Sequence, residues 1–520
     1  MRTVSGAHRI VVVGAGLAGL SAALHLRGSG KDVTVLERDD AVGGRVGAYP
    51  GPGYEIDNGA TVLTMPELID DALAAVGADR LSVDPELRIT RLSPAYHARF
   101  ADGTSIDVHS DPAIMTAEIT RVCGPDEAKR YLRLRAWLAD IFDAEFDRFM
   151  DASFDSPLDL VSSPAALRDL ARLLRLGGFG RLGAQVDRRI TDPRLRRVFT
   201  FQALYAGVAP ARALAVYGAI AHMDTSLGVF SVDGGMRSVA RAMAGALVAA
   251  GGRLELGRTV SSLDFVGGRV DGVRTEDGQR FACDAVVLTP DTPVVDGLLP
   301  HRRRRVLAAP SAVVLHGSIP TDVSRRWQAQ HHHVIDFGAE WDRTFDEMTR
   351  PRGRGRLMSD PSLLLTRPAL SDPGQRFERD GVEHEPLSVL APCPNLDSAP
   401  FAWAQLAAPY RDELLDVLDR RGYRGIADRF RVDHLDTPAT WAALGMQAGS
   451  PFSSAHIFRQ TGPFRRRNLD PAVPGVVLAG SSTVPGVGVP TVLLSGRLAA
   501  ERLGVPRVRR GRAQTTPSLH

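Results

Sequence analysis

"RIVVVGAGLAGLSAALHLRGSGKDVTVLERDDAVGGRVG", residues 9–47, decides how the rest of this 520-residue chain is read. Arg9–Val13 is a short, β-branched apolar run, which predicts a buried parallel strand. Gly14, Gly16 and Gly19 follow in GxGxxG spacing, Leu17–Leu26 has helical periodicity, and Asp32–Leu36 reads as a second strand ending at Glu37. A lone GxGxxG is weak evidence, but one set in a strand–helix–strand frame with an acidic residue after the second strand is strong. The three glycines serve different ends. Gly14 permits the tight turn, Gly16 lets the backbone approach a pyrophosphate, and Gly19 lets the helix pack close to the sheet. The start of the helix offers free N–H groups and a positive dipole end to phosphate oxygens. Glu37 is positioned to accept hydrogen bonds from a ribose diol, and its charge disfavours a 2′-phosphate.

The continuation "AVGGRV" adds Gly43, Gly44 and Arg45. It resembles the extended FAD motif of glutathione-reductase-like flavoproteins, in which a second glycine pair and an arginine lie over the ribose and pyrophosphate. Arginine suits a diphosphate because its planar fork pairs bidentately and stays charged. An NAD-only dinucleotide fold does not need this second element, so FAD is the expected cofactor. The expected fold class is α/β, a glutathione-reductase-like Rossmann FAD domain with an inserted mixed α+β substrate domain.

A second decisive stretch lies near the other end. Pro471–Gly496 contains no charged residue, yet Pro474, Gly475, Gly480, Pro485, Gly486, Gly488 and Pro490 interrupt it. A membrane-spanning helix needs roughly 20 continuous apolar residues with every backbone group bonded internally. The better reading is a buried strand Val476–Ala479, a loop, and a helix from Pro490 through Leu503, with Pro490 as its first residue. A second helix start, flanked by small residues, then faces the flat ring of a flavin and stabilises the negative charge that reduction places there.

Composition narrows the alternatives. The chain is 44% hydrophobic and 24% charged with a net charge of +3, so no nucleic-acid field is implied. Lys31 and Lys129 are the only lysines, which limits any lysine-dependent chemistry to two candidates. Cys123, Cys283 and Cys393 are sparse and unpaired in spacing, as expected of a protein in a reducing cytoplasm. "MRTVSGAHR" leaves no room for a signal segment before the first strand, so no export is expected. Gly178, Gly180 and Gly183 repeat the GxGxxG spacing but follow the helical run "ALRDLARLLRL", so they read as a helix end and loop. His331–His333 invites a metal reading, but three consecutive side chains do not readily converge on one ion, and no metal is expected.

Four stretches, "GATVLTMPE" (59–67), "DGGMRSVARAMA" (233–244), "HIFRQTGPFRRRN" (456–468) and "PGVVLAGSSTVPGVGVPTVLLSGRLAAERL" (474–503), resemble the bacterial phytoene desaturase family. That family is a branch of the amine-oxidase-like FAD flavoproteins. The resemblance spans almost the whole chain and is closest at the two ends. It implies noncovalent FAD, an apolar isoprenoid or carotenoid substrate in a long channel, hydride transfer to flavin N5, and docking on a membrane surface. It also implies that the backbone near Val260 holds the adenine. Motifs and resemblance together place cofactor contacts at Gly14, Ala15, Gly16, Gly19, Glu37, Arg38, Gly44, Arg45, Val260, Gly480, Ser481, Val489 and Pro490. His456 is the candidate proton acceptor, with Gln460 and Arg465 near it in sequence. The chain departs from the family pattern at Val484, where a histidine is common, at Thr491, where glycine is frequent, and at Leu288–Asp291, which replaces an Asn-Ala-Asp turn.

The expected organisation is an FAD segment at 1–75, a mainly helical substrate or cap region at 76–228, a return to the FAD domain at 229–300, more substrate domain at 301–450, a closing FAD segment at 451–506 and a basic, disordered tail at 507–520. His301–Arg305, Phe464–Asn468 and Arg507–Arg512 are basic clusters suited to anionic headgroups, or simply solvated arginines. The residues leave open the terminal electron acceptor, oxygen or a quinone. They also leave open a flavin oxidase of amines or tetrapyrroles, and a non-catalytic prenyl-lipid escort of the same fold.

Overall fold

The computed structural model describes residues 2–301, 305–351 and 353–507. Its centre is a five-stranded, all-parallel sheet in the order Val476–Leu478, Ala285–Leu288, Arg9–Val13, Asp32–Leu36, Arg253–Glu255. Four of these strands are rich in valine and buried on both faces, the pattern that parallel sheets covered by helices require, while the edge strand Arg253–Glu255 is partly exposed. The helix Leu17–Gly28 connects Arg9–Val13 to Asp32–Leu36, and the C-terminal helix Val489–Arg502 packs along it. Chain ends that are almost 500 residues apart in sequence therefore form one α/β unit.

The two outer elements of the long charge-free stretch are a strand, Val476–Leu478, and a helix. Pro490 is the second residue of that helix rather than the first, because Gly488 takes the capping position with φ near +126° and Val489 opens the turn. Proline tolerates this place equally, since the first-turn N–H groups have no intrahelical partner. Among the described residues no helix is long and apolar enough to cross a membrane.

A three-stranded antiparallel meander, Val260–Val266, Arg269–Thr275 and Arg280–Ala282, lies beside the parallel sheet. A larger mixed sheet runs in the order Arg431–Asp436, Ser311–Pro320, Val382–Cys393, Leu363–Thr366, His333–Phe337, Tyr96–Phe100, Ser105–Val108, with Phe377–Arg379 added on Val382–Cys393. Its two last strands come from an early hairpin turned at Asp102–Gly103, where Gly103 has φ near +81°, and the pairing of Tyr96–Phe100 with His333–Phe337 is parallel. Helices dominate Pro112–Leu227, and after the helix Pro164–Arg175 Gly178 and Gly180 lie in a turn and loop while Gly183 falls in the next helix, Leu182–Asp187, so no strand precedes these glycines. One continuous apolar core joins the Rossmann helices to this helical region, and a second fills the far end of the large sheet. Cys123, Cys283 and Cys393 are free thiols.

Candidate active site

The phosphate loop is built as its glycines require. Gly14 has φ near +103°, and a Cβ on Gly19 would lie 1.9 Å from the Gly14 carbonyl oxygen, so no larger residue fits there. Gly16 caps the helix Leu17–Gly28 in extended backbone with no side-chain cap, which leaves the first-turn N–H groups facing outward. Gly43, with φ near +122°, donates its N–H to the Ala15 carbonyl and bridges Gly16, so the second glycine pair lies against the first loop. Glu37 is buried, and its carboxylate accepts the Ala15 N–H at 2.6 Å and the Asp39 N–H at 3.1 Å. Burial raises its pKa despite those two bonds. A carboxylate has about four acceptor positions, so Glu37 keeps capacity for hydroxyl donors. Arg38 is directed elsewhere, to the Leu444 carbonyl at 3.1 Å and to Asp39. Val260 opens the first strand of the meander, two residues after Arg258, whose N–H donates to the Glu37 carbonyl at 2.6 Å.

Arg45 ties the front motif to the back one. Its guanidinium donates to the Ser481 hydroxyl at 2.5 Å and pairs with Asp291 at 3.0 Å. Asp291 is the hub of this region: its carboxylate also accepts from the Ser482 hydroxyl and from the backbone N–H groups of Thr292 (2.7 Å) and Gln447 (3.3 Å). The "LTPD" turn, a departure from the family pattern in sequence, thus supplies an anion that draws four separate chain segments together.

On the other side of the back motif, Gly480 has φ near +98° and donates its N–H to the Ser495 hydroxyl. Val489 and Pro490 begin the C-terminal helix, whose start has no side-chain cap. Arg465 is buried, and its fork donates to the carbonyls of Ser481, Thr483 and Ser454. This corrects the headgroup reading of Phe464–Asn468: Arg465 locks the loop from within, and Arg466 pairs with Asp296 at 2.7 Å. Of the other basic clusters, His301 bonds Asp470 and Arg507 pairs with Asp151, while residues 302–304 and 508–512 lie outside the described residues. The tail expected at 507–520 also lies outside them from residue 508, and its first residue, Arg507, is not disordered but held by Asp151.

His456 is buried, and its ring lies against Gly486, where an added Cβ would be 2.7 Å from Nε2. Nδ1 is 2.9 Å from the Tyr217 hydroxyl, and Nε2 has no hydrogen-bond partner. Tyr217 in turn meets the Thr461 hydroxyl at 2.6 Å, and Thr461 donates to the Ile457 carbonyl at 2.9 Å. Counting protons along this chain gives Thr461 to Ile457, Tyr217 to Thr461, and His456 Nδ1–H to Tyr217, which leaves the lone pair on Nε2. Burial, with Arg465 nearby, holds the imidazole well below its ordinary pKa, so it is neutral. Tyr217 and the buried Glu145, whose carboxyl burial raises, come from the helical insert and carried no motif; only packing brings Tyr217 to His456. Neither lysine joins the site: Lys31 donates to the Ala7 carbonyl and Lys129 pairs with Asp126 on a helix surface.

The family model of flavin containing amine oxidoreductases matches residues 17–375 and 410–504. The chain belongs to that family. A phytoene dehydrogenase of Streptomyces griseus is 52% identical over 519 residues, 98% of each chain. A zeta-carotene-forming phytoene desaturase of Myxococcus xanthus is 31% identical, covering 95% of this chain and 93% of its own. Among solved structures, an oxidoreductase from Methanosarcina mazei superposes with a TM-score of 0.61 at 16% identity, covering 95% of this chain and 100% of its own. A putrescine oxidase gives 0.58 at 16% identity, covering 95% and 98%. The expected glutathione-reductase-like α/β fold and the resemblance to phytoene desaturases are borne out, and the chain is an FAD-dependent oxidoreductase. The uncapped glycine loop, the facing Gly43–Gly44 turn and the second uncapped helix start fit a dinucleotide with a flat ring at its far end.

Proposed function

We propose that this enzyme introduces double bonds into a long isoprenoid hydrocarbon of the phytoene class. The observation that carries the reading is the similarity, along 98% of both chains, to a phytoene dehydrogenase. FAD, when bound, supplies the hydride acceptor at N5. Gly14, Ala15 and Gly16 would hold its diphosphate at the helix start, joined by Gly44 and Arg45, with Gly19 keeping the helix close against the Gly14 turn; Glu37 would take the ribose hydroxyls and Val260 the adenine. Arg38 would reach the ribose end only by leaving the Leu444 carbonyl, and Gly480, Ser481, Val489 and Pro490 would receive the ring end.

Removing two hydrogens across a C–C bond sends one away as hydride and one as a proton. His456 is assigned the proton, at Nε2, because that atom is unprotonated, unpartnered and beside the Gly486 turn. Tyr217 keeps the ring in this tautomer. Burial, with Arg465 nearby, keeps the ring neutral and its Nε2 lone pair free before it takes the proton.

An apolar substrate dissolves in lipid, so the enzyme is assigned a peripheral membrane contact. Leu158, Val161, Leu167, Leu174 and Phe458 are exposed large apolar residues on adjoining elements, and Phe458 lies two residues from His456. Arg168 and Arg175, exposed on the helix Pro164–Arg175, and the exposed Arg459 supply positive charge for an anionic surface.

The deciding assay supplies phytoene in anionic liposomes to FAD-loaded protein without oxygen. Loss of oxidised-flavin absorbance together with longer-wavelength polyenes is the expected result. An FAD-loaded protein that leaves phytoene unchanged but oxidises an amine, releasing hydrogen peroxide in air, would replace this reading with the amine oxidase one.

A further inference from the structure

We propose that His97, Asp107 and His331 bind a divalent transition-metal ion of the zinc class, at a site separate from the flavin residues. The run His331–His333 by itself makes no such site; the partners come from the early hairpin. His97 and Asp107 are opposite each other across its two antiparallel strands, and His97 Nδ1 is 2.7 Å from Asp107 Oδ1. His331, in the loop that leads into His333–Phe337, brings Nε2 to 3.6 Å from the same oxygen. One donor atom from each of the three residues lies within 4.8 Å of the others.

Those separations bracket what a metal needs. Tetrahedral bonds of roughly 2.0–2.1 Å place neighbouring donors about 3.4 Å apart. Two neutral imidazoles and one carboxylate form a borderline donor set that suits zinc better than calcium or magnesium. The side chains are 11%, 34% and 24% exposed, so water reaches a fourth coordination position. His109 adds a third imidazole to the electrostatic surroundings of Asp107.

Two rearrangements are required: the proton held between His97 Nδ1 and Asp107 must leave and that 2.7 Å contact open to about 3.4 Å, and the rings must turn. The His97 and His331 rings are stacked, 4.2 Å apart and 5° from parallel, so their in-plane lone pairs do not yet converge. Turning the His331 ring sacrifices no hydrogen bond at its other nitrogen, because Nδ1 is buried without a partner. A bound ion would clamp the hairpin Tyr96–Val108, the edge of the large sheet, to a segment more than 200 residues later.

The test uses tag-free, FAD-loaded full-length protein, stripped with chelator and titrated with Co²⁺, then Zn²⁺. One equivalent of Co²⁺ with the intense visible bands of four-coordinate cobalt, displaced by Zn²⁺, is expected. Zn²⁺ also raises Tm, because the ion binds the folded state. H331A and D107N are expected to weaken uptake at least tenfold while flavin content and circular dichroism stay unchanged. H434A is the control, since His434 and His316 flank a different carboxylate, Asp436. Absence of saturable uptake by the wild type overturns the proposal, as does uptake that survives H331A or disappears in H434A. If H331A loses flavin or secondary structure, D107N decides by the same criteria.

Discussion

Asp224 is fully enclosed, and burial pushes its carboxyl up to about 7 against the opposing hydrogen bond from the Tyr96 hydroxyl at 3.2 Å. A carboxyl raised in the folded state stabilises the protein below its unfolded pKa, and that stability disappears as pH rises through the folded value. The window here runs from about pH 4 to about pH 7, and the fall is on the order of 4 kcal/mol. D224N keeps the acceptor for Tyr96 and cannot ionise. Its Tm is expected to be flatter across that window and above wild type at pH 8; parallel Tm–pH curves would show that Asp224 does not titrate there. Tyr217 permits a second test at this scale. Y217F leaves His456 Nδ1 without its partner, so kcat is expected to fall about 10- to 100-fold with flavin content retained. Equal kcat in wild type and Y217F would remove Tyr217 from any positioning role.

The two helices that start at the proposed cofactor site are interlocked as elements. A Cβ on Gly496 would lie 2.3 Å from the Ala18 carbonyl oxygen and 2.8 Å from the Ala22 nitrogen, and Ser21 already donates to the Leu493 carbonyl across the contact. G496A must push the helices Leu17–Gly28 and Val489–Arg502 apart and move both helix starts. A loss of about 1–3 kcal/mol in stability and a lower flavin content are expected, read by chemical denaturation and by the flavin-to-protein absorbance ratio. Full flavin content and unchanged stability in G496A would show that the spacing of these helices does not set the site.

At the scale of the whole molecule, one face joins exposed apolar residues to exposed arginines beside the loop that carries His456. Replacing Leu158, Leu174 and Phe458 together by aspartate is expected to abolish sedimentation with anionic vesicles and to leave flavin content unchanged. Turnover of a water-dispersed substrate should then survive better than turnover of a liposomal one. Binding by the triple variant as strong as wild type would place the membrane contact on another face.

The sequence by itself determined the strand–loop–helix at residues 9–28, the glycine positions, and the reading of Pro471–Gly496 as strand and helix, because those patterns arise from interactions a few residues apart. It also pointed to His456, through its place in a motif. Only the tertiary structure decided what each polar side chain meets. Arg45 reaches Asp291 and Ser481, Arg465 turns inward to carbonyls instead of outward to headgroups, and Tyr217 takes up His456 from another region of the chain. The hairpin Tyr96–Val108 likewise finds its sheet partner only through a parallel pairing with a much later strand. Such partners are selected by burial: a polar group removed from water must find a hydrogen bond wherever packing places one, and that place is not encoded in local spacing.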